Sequence, residues 1–134
     1  MKAFRTFLFF LAAFAASPIT ALAAPGAFTI SNQAPVWDTA PPAGPAVVLN
    51  WTASSGVTSY EVYRNATKIY PTSGTFIGRT FRNESGLTSG QTYSYYILAK
   101  NSAGNTQSNT ITVGPMPSAP VTLPGAFTIS NGCD

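Results

Sequence analysis

The chain contains no histidine and four acidic residues, Asp38, Glu61, Glu84 and Asp134. Hydrolysis by paired carboxylates needs two acids held close on facing elements. These four fall on turns or outward strand positions and build no such pair. Serine and threonine are abundant, but no base stands beside them to activate a hydroxyl. There is neither a Cys/His cluster nor an acid-rich calcium loop to hold a metal. The one cysteine, Cys133, permits no internal disulfide and leaves either a missing partner or a free thiol. The chain therefore reads as a non-enzyme, with no catalytic, cofactor or metal residues. The side chains left to do recognition chemistry are Tyr63, Tyr96 and Leu98, flanked by Glu61 and Lys100. Where their two strands are neighbours, they form an exposed aromatic stripe. Such a stripe suits stacking on a sugar or a protein surface. The same residues also make ordinary cross-strand pairs that cover a sheet.

The elements that must position them are strands. Beyond residue 24 no helical periodicity is present, whereas tyrosine, threonine and valine recur between clusters of Gly, Pro, Ser and Asn. The alternation predicts strands at 28–31, 47–52, 59–64, 68–70, 79–82, 92–100 and 110–113. A proline-rich break is expected at 41–45 and a tight turn at 101–105. Val47, Leu49 and Trp51 share one parity, as do Tyr60 and Val62, and Tyr93, Tyr95, Ile97 and Ala99. One dry and one wet face per strand is the signature of packed antiparallel sheets. The expected core is Leu49, Trp51, Tyr60, Val62, Leu87, Tyr93, Tyr95 and Ile97.

The ends have a different character. Lys2 and Arg5 precede an unbroken apolar run at 7–16, and Ala21-Leu22-Ala23 offers small residues to a signal peptidase. Residues 1–23 read as a cleavable secretory signal, too short to remain as a membrane span. Its removal takes away two of the seven basic residues and leaves five against four acids, a net charge of +1 rather than +3. A nucleic-acid partner, which needs a clustered basic face, is not expected. The string PGAFTISN occurs at 25–32 and again at 124–131, an internal repeat offset by 99 residues. Pro115, Pro117 and Pro120 read as a stiff joint between the copies. The expected organisation is a signal at 1–23, one module at 24–116, a linker at 117–123 and the start of a second repeat at 124–134.

Three segments carry a family resemblance: Leu49-Asn50-Trp51, then Tyr60-Glu61-Val62-Tyr63-Arg64, then the series Leu87, Tyr93, Tyr95, Ile97, Ala99, Asn101 and Gly104. In this order they resemble a fibronectin type III domain over about residues 25–115, of the tandem kind found in bacterial exported proteins. The resemblance implies an all-β, seven-stranded antiparallel β-sandwich of immunoglobulin-like fold. It also implies a tyrosine corner, with the Tyr93 hydroxyl bonded to the preceding loop backbone. Ser89 departs from the family, which often has proline there. The Asn101–Asn105 loop lacks Arg-Gly-Asp, so integrin adhesion is not implied. The formal glycosylation tripeptides at Asn50, Asn65 and Asn83 are expected to be unmodified.

The leading expectation is a secreted, non-enzymatic spacer or protein-interaction module in a tandem array, at the cell surface, in the envelope or outside the cell. One alternative is a carbohydrate-binding or adhesion module using Tyr63 and Tyr96. Another is an accessory domain of an extracellular hydrolase whose catalytic domain lies elsewhere. The partners expected are a protein or polysaccharide at the cell surface, and a second copy of the chain through residues 124–134.

Overall fold

A computed structural model describes residues 21–122 and 125. Most of the expected signal and all of the second repeat except Gly125, with Cys133, lie outside the described residues. Nine strands are present: β1 Ile30–Asn32, β2 Val36–Asp38, β3 Gly44–Trp51, β4 Ser59–Arg64, β5 Thr67–Tyr70, β6 Thr80–Asn83, β7 Tyr93–Asn101, β8 Gly104–Gln107 and β9 Ile111–Val113. They form two antiparallel sheets packed as a sandwich. In the four-stranded sheet β3 is central, with β1 and β2 along one edge and β6 on the other. In the five-stranded sheet the order is β5-β4-β7-β8, and β9 continues β8 along β7.

The nine segments are the seven expected strands and two that were not expected, β2 and β8, which continue the paths of β1 and β9 across one extra residue each. Between the pairs Asn32↔Leu49 and Val36↔Ala46, three residues of the edge strand face two of β3. Between Gln107↔Leu98 and Ile111↔Tyr95, three residues again face two of β7. Each interruption is a bulge that restores inward parity to the residues beyond it. Pro35 lies in the first bulge, where a missing N–H costs no ladder bond. Two segments expected as breaks contribute strand. β3 begins at Gly44, inside the proline-rich stretch, because Pro45 pairs with Trp37. The turn expected at 101–105 narrows to Ser102 and Ala103. The Asn101 side chain accepts hydrogen bonds from Ala103 N and Gly104 N, so β8 can begin at Gly104.

The core lies between the sheets. Val47, Leu49, Val62, Tyr95, Ile97 and Ala99 are wholly buried, with Phe28, Ile30, Trp51, Tyr60, Val113 and Met116 beside them. Leu87 and Tyr93 are half-buried and pack against this cluster. Tyr60 sits at its centre, edge-on to Trp51 and tilted against Phe28, both at 5.7 Å between ring centroids. The Tyr93 hydroxyl accepts a hydrogen bond from Thr88 N at 2.9 Å, which ties the loop before β7 to the strand.

Candidate functional site

The outer face of the five-stranded sheet is where the tyrosines come together. β4 and β7 are adjacent and antiparallel, and their register sets Tyr63 opposite Tyr96 and Glu61 opposite Leu98. The two tyrosine rings lie nearly parallel, 9° apart, with centroids separated by 4.8 Å. That separation is the spacing of neighbouring strands, so the stack follows directly from the pairing. Beside the stack, Glu61 Oε1 accepts hydrogen bonds from Lys100 Nζ at 3.2 Å and Lys68 Nζ at 3.4 Å. Its Oε2 accepts one from the Tyr63 hydroxyl at 3.1 Å. Burial pushes the Glu61 carboxyl up, but the bonds from Lys100 and Tyr63 and the two lysine charges outweigh it and hold it below the ordinary glutamate value. Burial, together with the bond to Glu61, pushes the Tyr63 hydroxyl up. The hydroxyl therefore remains a protonated donor at neutral pH.

The expected stripe of Tyr63, Tyr96 and Leu98 lies on adjacent strands, and its three residues are half-buried. Each tyrosine turns one ring face onto the other, and Lys68 and Lys100 crowd the carboxylate beside them. The stack closes one face of each ring.

A second cluster lies on the outer side of the four-stranded sheet, where Arg82 pairs with both Asp38 and Glu84. The hydrogen bond from Ala40 N and the pairing with Arg82 hold the Asp38 carboxyl below its ordinary value. These groups lie at the surface, and the single Arg82 charge is shared between the two carboxylates.

The alternation analysis did not single out the polar node inside the sandwich. Arg64 has the inward parity of Tyr60 and Val62. It reaches across to donate to Asn83 Oδ1 at 3.0 Å and Ser85 O at 2.7 Å. The buried Tyr95 hydroxyl donates to the same Asn83 oxygen at 2.9 Å, and Asn83 Nδ2 donates to Ser85 O. Burial pushes the Tyr95 hydroxyl up to about 12. The Arg64 guanidinium also lies over the Tyr93 ring, 5.3 Å from its centroid, a favourable cation–π placement. A Cβ on Gly86 would come within 2.7 Å of the Arg64 guanidinium, and the positive φ of 64° there also favours glycine. Arg64 from β4, Tyr95 from β7 and Asn83 from β6 thus tie the two sheets together. The one legible signal of this node was an arginine at inward parity.

Among the described residues no pocket opens, and no group of three His, Cys, Asp or Glu converges to hold a metal. No described helix is long and apolar enough to cross a membrane.

No protein-family profile matches the chain. Its sequence is nevertheless similar to stretches of several enzymes. One is chitinase Chi52 of Paenibacillus xylanexedens, 40% identical over 88 residues, which cover 55% of this chain and 16% of that protein. Another is chitinase A1 of Niallia circulans, 34% identical over 118 residues, 77% of this chain and 16% of that protein. A third is exoglucanase B of Cellulomonas fimi, 34% identical over 95 residues, 59% of this chain and 8% of that protein. The chain thus spans a sixth or less of the length of these relatives.

Proposed function

We propose that the chain carries an exported, non-catalytic module of fibronectin type III type that serves as a spacer or contact unit beside polysaccharide-degrading machinery. One observation carries this reading. A module-sized stretch recurs within much longer enzymes whose names specify different reactions, chitinase and exoglucanase. A part shared across substrates is not the part that chooses or cleaves them. The pairing of each described acid with a lysine or arginine supports the same reading. In this reading the module works by geometry: a rigid sandwich followed by a proline-rich joint at 117–123 that holds the next unit at a distance. The test is to incubate residues 24–134 with chitin and with a glucan, then measure soluble sugar and co-sedimentation. No sugar release and no sedimentation with either polymer are expected. Release above a heat-denatured control overturns the non-catalytic reading. Co-sedimentation abolished by Tyr63→Ala with Tyr96→Ala replaces the spacer role with carbohydrate contact.

A further inference from the structure

The sandwich is closed along its edges and threaded at its ends. On one edge the Asn109 side chain clasps Ile30, accepting from its N–H at 2.8 Å and donating to its C=O at 3.2 Å. On the other edge Tyr70 of β5 stacks on Phe81 of β6, with ring centroids 4.8 Å apart. Pro25 enters beside Thr106, which pairs with Ala99, whereas Met116 N is bonded to Gln91 O at the opposite end of the strands. The two broad outer faces stay clear of this path.

Those faces carry opposite charge patterns. Of the charged side chains among the described residues, Arg64 turns inward, and Arg79 precedes β6 at the inward parity of Phe81. The rest form two triads. On the five-stranded sheet Lys68 of β5 and Lys100 of β7 bracket Glu61 of β4. On the four-stranded sheet Asp38 of β2 and Glu84, just past β6, bracket Arg82. The first triad carries one positive charge in excess, the second one negative charge. Each reaches across three neighbouring strands, about 10 Å from the first to the third. The order cation–anion–cation on one face therefore meets its complement, anion–cation–anion, on the other. Apolar surface accompanies both. The Tyr63–Tyr96 stack and Leu98 stand beside the first triad, and half-buried Val48 and exposed Val36 beside the second.

We propose that the five-stranded face of one molecule docks on the four-stranded face of a second copy of the chain. Like faces repel and unlike faces attract, which fixes the pairing. The lysines of one copy then face the carboxylates of the other, with the tyrosine stack against the valines. Because the two surfaces differ, the contact is heterologous and repeats from copy to copy instead of closing as a dimer. It adds side-by-side contact to the end-to-end spacing proposed above, and neither depends on the other. A contact a few strands wide belongs to the weak class below about 1,200 Å², and exposed charges of this kind are screened by salt.

Sedimentation velocity of residues 24–134, with reductant so that Cys133 cannot link chains, tests this. In about 0.02 M salt the mean mass is expected to rise from monomer to about twice that value as concentration approaches the millimolar range of weak complexes. In about 0.5 M salt it is expected to stay at monomer. Lys68→Glu gives a molecule with two negative faces, and Glu84→Lys one with two positive faces. Each variant alone is expected to remain monomeric with a melting temperature close to wild type, and an equimolar mixture to regain the wild-type mass. A wild-type monomer throughout, a variant that associates by itself, or a mixture that stays monomeric overturns the proposal. So does association that survives high salt, which belongs to edge pairing or to the repeat at 124–131 instead.

Discussion

Tyr95 and Tyr96 are neighbours in sequence and opposites in circumstance. Tyr95 points between the sheets, is wholly buried, and spends its hydroxyl on Asn83. Tyr96 points outward, is half-buried, and leans on Tyr63. The residue type is the same, and the pleat alone decides which becomes architecture and which remains at the surface. Among the inward polar groups, Arg64, Asn83 and the Tyr95 hydroxyl are tied to one another, whereas the indole N–H of Trp51 is buried without a partner. Outward charges form networks that water and salt can loosen. The inner face therefore carries the stability of the module, and the outer face is where change is tolerated.

The contrast breaks first, if it breaks, at the core. Tyr95→Ala and Trp51→Ala are each expected to cost about 3–5 kcal/mol, the range for removing a large buried aromatic. Thermal melts that leave either variant near wild type would overturn the inner-face assignment. Asn83→Ala strands the Tyr95 hydroxyl and part of the Arg64 guanidinium, and a loss of about 1–3 kcal/mol is expected by chemical denaturation. A loss matched by Arg82→Ala, on the exposed side, would erase the distinction between the two polar clusters. Tyr96→Ala removes a cross-strand stack worth about 0.2–1 kcal/mol. A larger drop would mean that the outer stack belongs to the load-carrying structure.

The smallest effect concerns pH. The folded Glu61 carboxyl lies below its ordinary value, so its contribution is present above the unfolded value and lost as pH falls through the folded one. The melting temperature of the wild type is expected to decline more steeply than that of Glu61→Gln in that acidic window. Parallel profiles would show that the Lys68–Glu61–Lys100 network contributes nothing measurable.

Strand alternation made the inner face legible from sequence, since Leu49, Val62 and Ile97 follow a period that has only one dry solution. β2 and β8 escaped notice because their residues are short, polar or next to proline. Val36–Asp38 is held by pairing with Pro45 and its neighbours, and Gly104–Gln107 by a two-residue turn that Asn101 organises. The Arg64–Asn83 tie was hidden for a related reason. Its partners are nineteen positions apart and meet only after two sheets have stacked. The tyrosine stripe was legible as a set of residues but not as a surface, because ring orientation depends on the β4–β7 register.

The places where the chain enters and leaves the sandwich have a mechanical consequence. Gly26 is fastened near Ser55 and Thr106, and Met116 near Gln91, at opposite ends of the strands. Tension applied through these two points runs along the strands and across their hydrogen bonds. The bonds joining residues 29–33 to β3, together with the Asn109 clasp, are loaded side by side and must fail together instead of opening one at a time. A tether built this way resists being pulled far better than it resists being peeled.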